Sequence, residues 1–182
     1  RLHPCCATRA AICSDSRMTQ SPDASPGSSQ PHDLEVSRVI AASPEQVYAL
    51  VSDLPRMGEW SPENTGGRWV KPATGPVVGA KFRGTNKSGK VQWSTIAAVV
   101  IADAGREFAF DVSAAGMGVA RWGYRLDEVD GGTKVTEYWH DHRNPVMKRI
   151  TGFVLRKPDR RAYNEMSMRT TLEGIAAAVT RP

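Results

Sequence analysis

The stretch ARWGYRLDEVDGGTKVTEYW, residues 120–139, decides the fold. Large apolar and polar side chains alternate on both sides of a central turn, Asp130-Gly131-Gly132. Alternation of this kind places successive side chains on opposite faces of a strand, and so short a glycine turn joins antiparallel neighbours. The stretch therefore predicts a β-hairpin with one face of bulky apolar side chains and one face of polar ones.

The same period-two pattern extends outward from this hairpin in both directions. LEVSRVIAA predicts a first strand that begins near Leu34. Six consecutive strands then follow Asn64, separated by glycine-rich turns, and short turns favour antiparallel pairing. The six predicted strands are Arg68–Lys71, Ala80–Asn86, Val91–Ala102, Glu107–Ser113, Gly118–Glu128 and Lys134–His142.

Helical signals occur at two places. After the first strand, Ser43 is a typical N-cap before Pro44, and a second short helix is predicted from Pro55 to the region of Trp60. A long C-terminal helix is predicted from about Asp159 to Thr180, with an apolar face of Met168, Leu172, Ile175 and Val179. The sequence therefore predicts an α+β fold in which a curved antiparallel sheet of about seven strands wraps around this helix.

Composition excludes several classes of protein. The 182 residues are 40% hydrophobic and 24% charged, which suits a globular domain and excludes a fibrous or wholly disordered chain. The longest apolar run is shorter than the roughly 20 residues that a membrane-spanning helix needs. The net charge of +5 comes from residues 143–182, with nine basic and three acidic side chains, so we expect a local anionic contact and no nucleic-acid partner.

The first 33 residues differ from the rest of the chain. They contain SPDASPGSSQPHD, and this composition predicts a disordered tail before a single domain over residues 34–182. The first methionine is Met18, so residues 1–17 are interpreted as a non-native extension. Three cysteines, Cys5, Cys6 and Cys13, are interpreted as free thiols, and we expect a reducing, cytoplasmic compartment.

Strand parity predicts which side chains face the long helix. One register gathers nearly all the large apolar side chains on the inner face. The residues nominated in this way as lining a ligand cavity are Phe82, Asn86, Trp93, Phe108, Phe110, Trp122, Tyr124, Glu137 and Trp139. A cavity beneath the helix and a fully packed core are both compatible with this pattern.

Glu137 and Asn86 break the apolar inner pattern. A carboxylate among tryptophans loses hydration, so Glu137 has to find donors, have a raised pKa or stand beside a water-filled void. It is read either as a ligand-facing group or as a satisfied buried or exposed residue. Asn86 is read either as ligand-facing or as part of the turn chemistry of NKSGK.

Sequence signatures of common catalytic and metal sites are absent. The chain has no G-x-S-x-G, H-E-x-x-H, P-loop or G-x-G-x-x-G helix signature, and no metal or cofactor is expected. His140 and His142 are interpreted as a solvated strand end. The amphipathic segment 146–157 is read either as a docked short helix or as a lid making at most transient contact with a membrane surface.

The element order and several motifs together resemble a known family. The motifs are EWSPENTGGRW (59–69), GAKFRGTNKSGKVQWST (79–95), REFAF (106–110), residues 120–139 quoted above, and RRAYNEMSMRTTLEGI (160–175). They resemble the START-like (SRPBCC, polyketide cyclase/dehydrase type) superfamily, in particular its small actinobacterial members. The resemblance implies a helix-grip fold with a deep hydrophobic ligand cavity, and it adds Trp60 to the candidate ligand-binding residues.

Two functions follow as hypotheses. The first is a non-catalytic binding or carrier protein for a hydrophobic small molecule, lipid or polyketide-like, with Glu137 and Asn86 orienting its polar end. The alternative is a cyclase/dehydratase-type enzyme that uses Glu137 as general acid or base. A weaker third possibility is a regulatory protein that binds a partner through its basic C-terminal region. The oligomeric state stays open.

Overall fold

One antiparallel sheet of seven strands organises the protein. The computed structural model describes residues 32–154 and 159–180, and within residues 150–154 only the backbone. The strands are β1 (Leu34–Ile40), β2 (Asn64–Trp69), β3 (Lys81–Ser88), β4 (Val91–Asp103), β5 (Glu107–Ala114), β6 (Met117–Val129) and β7 (Gly132–Asp141). The predicted number of strands is confirmed.

The strands lie in the order β1-β7-β6-β5-β4-β3-β2, and all neighbours are antiparallel. Strands β2 to β7 therefore form the predicted meander. The first strand pairs with the last, with Leu34 opposite Trp139. In the decisive hairpin, Trp122 lies opposite Trp139 and Tyr124 opposite Glu137, so the two inner rows face the same side.

Strand β2 begins earlier than the predicted Arg68. Residues 64–67, including Gly66 and Gly67, already belong to the strand, and its register against β3 shifts between Asn64 and Gly67. Gly66 has a φ of 96°, which lets the backbone bulge where other residues would be strained. The predicted boundary was wrong because a bulge and a turn use the same residue type.

Three α-helices and one 3₁₀ helix complete the part of the fold that the structure describes. They are α1 (Pro44–Val51), the 3₁₀ helix (Leu54–Glu59), α2 (Pro145–Val154) and α3 (Arg160–Val179). Ser43 caps α1 as predicted: its hydroxyl oxygen accepts a hydrogen bond from the backbone N–H of Gln46 at 3.3 Å. Asp159 caps α3 in the same way, accepting from the backbone N–H of Ala162 at 2.9 Å.

Helix α3 lies over the inner face of the sheet and buries the predicted apolar row. Met168, Leu172 and Ile175 are each at most 1% exposed, and Val179 is half-buried. Helix α1 buries Val47 and Val51 completely against the same interior. Together these elements produce the helix-grip α+β architecture that the sequence predicts.

The outer face of the sheet is polar, as strand parity requires. Arg121 forms a bidentate ion pair with Asp111, with distances of 2.7 and 2.8 Å, across β5 and β6. Arg125 bonds Glu35 at 2.6 Å, although these residues are far apart in the sequence. Charged pairs, one between neighbouring strands and one that reaches across β7, cover this face in place of a second layer of helices.

Two sequence predictions fall wholly or partly outside the described residues. The predicted tail, residues 1–33, is described only at 32 and 33, so its boundary with the domain stays a prediction. The amphipathic segment 146–157 begins inside α2, and its last three positions, 155–157, lie outside the described range. Among the helices that the structure describes, none combines the length and apolarity that crossing a membrane requires.

Candidate ligand cavity

A cavity of about 520 Å³ lies between the inner face of the sheet and α3. Its lining includes the start of β4 (Val91), the end of β5 (Ala114), the region near the start of β6 (Val119) and the side chains of Arg143 and Arg160. Its volume falls within the range of about 300 to 1,000 Å³ that small-molecule sites occupy. Of the two readings left open by the pattern, a cavity is therefore the one observed.

Eight of the ten nominated residues lie on the wall of this cavity. They are Phe82, Asn86, Trp93, Phe110, Trp122, Tyr124, Glu137 and Trp139. All eight come from the sheet and follow the predicted parity. Trp122 and Trp139 contact each other across β6 and β7, with ring centroids 6.2 Å apart. A ligand-binding role for these residues stays a prediction.

The other two nominated residues, Phe108 and Trp60, lie outside the lining, which corrects the prediction at both positions. Phe108 shares the inner face with Phe110, but α1 covers it: the rings of Tyr48 and Phe108 meet edge to face at 6.2 Å, and Phe108 is 0% exposed. Trp60 is 4% exposed and packs against Gly174 of α3. Both side chains contribute to the packed core instead of the cavity wall.

Glu137 is a buried carboxyl group at the cavity wall. It is 3% exposed, and the hydroxyl of Tyr124 donates a hydrogen bond to its Oε1 at 3.1 Å. Its Oε2 has no hydrogen-bond partner among the residues that the structure describes. Burial raises the pKa of Glu137 to about 8, although the bond from Tyr124 acts in the opposite direction. The side chain is therefore mainly neutral at pH 7.

Tyr124 is the partner that orients this carboxyl group. Burial and the neighbouring Glu137 together raise the pKa of Tyr124 well above its ordinary value, so its hydroxyl keeps its proton and remains a donor. The hydroxyl also lies 3.9 Å from Sδ of Met57, in the 3₁₀ helix. The three outcomes considered for Glu137 thus occur together: it has one donor, a raised pKa and an adjacent void.

Asn86 lies opposite Trp93 in the ladder between β3 and β4, and two further residue pairs separate it from the turn of this hairpin. Its side-chain amide donates to Oγ1 of Thr95 at 3.2 Å, on the neighbouring strand. Asn86 and Thr95 both line the cavity. Asn86 therefore has a cross-strand hydrogen bond and also faces the cavity. A structural role and a ligand-binding role are both compatible with this position.

The wall formed by α3 is polar, a feature that the sequence interpretation missed. Asn164, Ser167 and Thr171 line the cavity and are 1%, 9% and 2% exposed. They are spaced at i, i+3 and i+7 and therefore share one side of the helix. This spacing was readable in RRAYNEMSMRTTLEGI, but the apolar row beside it was taken as the whole buried face.

Charged side chains occur at one end of the cavity and are paired. Arg160, at the start of α3, makes two hydrogen bonds to the carboxylate of Glu63, at 3.0 and 2.6 Å. Arg143 bonds the carboxylate of Asp141 in the same bidentate way, at 2.8 and 2.9 Å. The two arginines and Glu63 belong to the cavity lining, so a ligand that reaches this end meets ion pairs.

The described residues offer no metal-binding cluster of three or more His, Cys, Asp or Glu side chains. His140 and His142 contact each other edge to face, with ring centroids 5.1 Å apart. Nδ1 of His140 also lies 3.1 Å from the carboxylate of Asp33. Neither histidine lines the cavity. The titratable groups in the described lining are Glu137, Tyr124, Glu63 and the two arginines.

Comparisons with known proteins agree with this geometry. The family model described as polyketide cyclase / dehydrase and lipid transport matches residues 31–180. The solution structure of a polyketide-cyclase-like protein, Cgl2372 from Corynebacterium glutamicum, is 33% identical, covers 81% of this chain and 88% of its own, and superposes with a TM-score of 0.51. A search of curated proteins returns no match.

Two more distant structures share the fold. The protein CV1439 from Chromobacterium violaceum is 14% identical, covers 84% of this chain and 100% of its own, with a TM-score of 0.62. The di-domain ARO/CYC protein StfQ from the steffimycin biosynthetic pathway is 12% identical, covers 79% of this chain and 49% of its own, with a TM-score of 0.64. At such identities the likeness concerns architecture alone.

Proposed function

The chain belongs to the polyketide cyclase / dehydrase and lipid transport family, and we propose that it is a binding or carrier protein that holds one hydrophobic small molecule in the cavity under α3. The family covers hydrophobic-ligand binding and cyclase-type chemistry. Of these two functions, we propose binding. The ligand is held by burial of apolar surface, and its polar groups are oriented by Glu137 and Asn86.

The carrying observation is an aromatic cavity of about 520 Å³ whose buried carboxyl group is kept uncharged. Trp93, Phe110, Trp122 and Trp139 offer a ligand large apolar contact surfaces, and burial of such surface contributes about 25 cal/mol per Å². A neutral Glu137 adds no charge to the aromatic part of the cavity at pH 7. These properties favour an uncharged, largely apolar ligand.

Catalysis is the weaker choice because the cavity offers few groups that move protons. Among the described lining residues, Glu137 and Tyr124 form the only buried acid–base pair, and Tyr124 keeps its proton because its pKa is raised. Arg143 and Arg160 are held in bidentate ion pairs. Binding needs none of these groups to change protonation, whereas turnover depends on Glu137 alone.

The binding proposal is tested first on the protein as purified. Native mass spectrometry should show a protein mass that exceeds the mass measured under denaturing conditions, and the difference gives the mass of a copurified molecule. Titration with the uncharged probes oleyl alcohol and emodin should change the fluorescence of Trp93, Trp122 and Trp139, which line the cavity. Absence of a bound molecule together with no fluorescence change with either probe would contradict the proposal.

An occluding variant and a matched control locate the binding. Val112 lines the cavity, whereas Ser94 is exposed on a neighbouring strand. Val112→Trp fills part of the cavity and should weaken probe binding at least tenfold. Ser94→Trp adds the same ring outside and should leave affinity within twofold. Equal affinities in the two variants would place the probe elsewhere on the protein.

A cyclase or dehydratase function is the second candidate, favoured by the pKa of about 8 at Glu137. A general acid–base group works best when its pKa lies near the operating pH. In a dehydration, the protonated carboxyl would donate its proton to the leaving hydroxyl, and the resulting carboxylate would take a proton from the adjacent carbon. Tyr124 would hold the carboxyl group in place through Oε1.

The two candidates are separated by Glu137→Gln. This variant keeps the shape and hydrogen-bonding character of the side chain but removes its titration. If the protein is an enzyme, incubation with a copurified or synthetic ligand should change the ligand's mass by loss of water, and the variant should bind but not convert it. Conversion by the variant at the wild-type rate would exclude Glu137 as the acid or base.

A further inference from the structure

The outer face of the sheet has two parts with different charge patterns. On β1, β5 and β6 the charged side chains are paired: Arg121 bonds Asp111, and Arg125 bonds Glu35. The part that runs from β2 through β3 into β4 is different, because residues 64–102 contain six basic side chains and no acidic one. All six are exposed, and none forms an ion pair with a residue that the structure describes. This part of the sheet therefore carries positive charge that the described residues do not neutralise.

Four of the six basic residues lie together on the outer side of β2 and β3. Lys81, Arg83 and Lys87 form a basic row along β3, where they alternate with residues that line the cavity and so point away from it. Arg68 of β2 lies directly opposite Arg83 in the ladder. Like charges at opposite positions destabilise a sheet. The two arginines therefore favour a negatively charged partner outside the chain.

The basic row has a defined length. Six residue steps separate Lys81 from Lys87, so at about 3.3 Å per residue the row extends about 20 Å. One small anion such as phosphate is too short to contact all of it. The residues opposite this row on β4 are uncharged: Ala98, Ile96 and Gln92. The row therefore fits an extended surface of negative charges better than a single ion.

Exposed aliphatic side chains border the basic row at its Lys81 end. Val77 and Val78, in the loop between β2 and β3, are 63% and 66% exposed. Val70 is 37% exposed, and its backbone N–H donates to the carbonyl of Lys81 at 2.7 Å. Basic side chains beside exposed aliphatic ones suit the surface of an anionic membrane. There the charges meet lipid phosphates, and the aliphatic groups enter the interface.

We propose that the outer side of β2 and β3 is a docking surface for an anionic lipid membrane. This surface is called the β2–β3 face and consists of Arg68, Lys81, Arg83, Lys87, Val77 and Val78. It lies on the reverse side of β3 from the cavity, so docking leaves the cavity lining uncovered. The proposal does not depend on what the cavity binds. Duplex nucleic acid also offers negative charges, but its backbone gives the valines no apolar contact.

Cosedimentation of the full chain with lipid vesicles tests the proposal. Vesicles of phosphatidylcholine carry no net charge, whereas vesicles with about one third phosphatidylglycerol are anionic. We expect binding to the anionic vesicles to be about tenfold tighter or more. Raising NaCl from about 0.1 M to about 0.5 M should remove most of this difference, because salt screens exposed charges. Equal binding to the two kinds of vesicle would contradict the proposal.

A matched pair of charge reversals assigns the binding to the β2–β3 face. Arg83→Glu places a carboxylate opposite Arg68, so it should weaken binding to anionic vesicles about tenfold while the Tm stays unchanged or rises. Lys134→Glu makes the same change of charge at an exposed position on the outer side of β7, opposite Asp127. It should weaken binding by less than about threefold. Equal losses in the two variants would mean that only net charge matters and would overturn the proposal.

Three further measurements separate docking from other kinds of binding. Val77→Ser combined with Val78→Ser should weaken vesicle binding about threefold without changing its salt dependence, because only apolar contact is lost. Val112→Trp fills part of the cavity and should bind vesicles like the wild type. A loss in that variant would mean that vesicle lipid enters the cavity, which overturns docking. Binding to poly-glutamate without binding to anionic vesicles would identify an acidic protein segment as the partner and would also overturn the proposal.

Discussion

Phe108 and Phe110 occupy the same face of the same strand, two residues apart, yet they lie in different environments. Phe108 is 0% exposed beneath α1, in the packed half of the interior, whereas Phe110 is only half-buried and lines the cavity. Their rings contact each other at 5.8 Å, so the boundary between core and cavity passes between them. What differs is the element that covers each ring.

The helix that lies over each part of the sheet explains why the interior is packed around Phe108 and contains a cavity beside Phe110. The two parts are called the packed half and the hollow half. Over Phe108, α1 contributes large apolar side chains, including the ring of Tyr48. Over the hollow half, α3 presents the shorter polar side chains Asn164, Ser167 and Thr171. The same alternating strand pattern thus serves both regions, and the cavity is produced by what lies opposite the strand.

The largest expected effect comes from truncating the two phenylalanines in turn. Phe108→Ala removes a fully packed ring and should lower the free energy of unfolding by about 3 to 5 kcal/mol, because the surroundings cannot collapse into the void. Phe110→Ala enlarges an existing cavity and should cost about 1 to 2 kcal/mol. Urea unfolding at pH 6.5 measures both. Equal losses would mean that the cavity is closed in solution.

The next effect concerns Glu137 and the pH dependence of stability. Its folded-state pKa of about 8 exceeds the ordinary value of 4.5, so between these pH values the folded chain holds a proton that the unfolded chain lacks. The contribution of Glu137 to stability is therefore largest below about pH 4.5 and falls as the pH rises to about 8, by a few kcal/mol in total. Glu137→Gln removes this loss.

The comparison is made by urea unfolding of both proteins from pH 5 to pH 9. We expect similar stabilities near pH 5 and a more stable variant near pH 9. Glu165→Gln is a suitable control, because Glu165 lies on the exposed part of α3 and bonds Arg169 there. Parallel pH profiles for the wild type and Glu137→Gln would contradict a neutral carboxyl in the cavity wall.

A smaller effect is expected at Gly174, where α3 meets Trp60 in the packed half. A Cβ at this position would lie 2.5 Å from Cβ and 3.0 Å from Cα of Trp60. Replacing glycine by alanine in a helix normally stabilises by up to about 1 kcal/mol. Here the close approach reverses the sign, and we expect Gly174→Ala to lower stability by about 1 to 3 kcal/mol.

The control for Gly174 lies one turn further along the helix. Ala177 is exposed, so Ala177→Gly should show only the ordinary helix propensity and lower stability by about 1 kcal/mol. Thermal and urea unfolding of both variants measure the two effects. If Gly174→Ala stabilises the protein, then Trp60 is not held against the helix in the way described.

Much of this architecture could be predicted from the sequence because it depends on local rules. Strand parity placed Trp93, Trp122 and Trp139 on the inner face, and turn residues located most strand ends within two positions. The capping residue Ser43 identified the start of α1, and the spacing of Met168, Leu172 and Ile175 identified α3. The buried Glu137 was found because it breaks an otherwise apolar row.

The rest depends on contacts between distant elements. Parity cannot tell Phe108 from Phe110, because both face inward and only the position of α1 separates them. The family resemblance placed Trp60 at the cavity. In the structure Trp60 packs against Gly174 of α3, which lies more than a hundred residues later in the chain. The start of β2 was missed because Gly66 forms a bulge and no turn.

The smallest expected effect comes from the same substitution as at Gly174, made in the hollow half. Gly84 lies on β3 in the cavity wall, and a Cβ there would meet Oγ1 of Thr95 at 3.4 Å and Nδ2 of Asn64 at 3.6 Å, which are ordinary contacts. Alanine also restricts the unfolded chain more than glycine does. Gly84→Ala should therefore raise the free energy of unfolding by about 0.5 kcal/mol or leave it unchanged, and weaken emodin binding by no more than threefold. A loss as large as that of Gly174→Ala would show that this half of the interior is as tightly packed as the other.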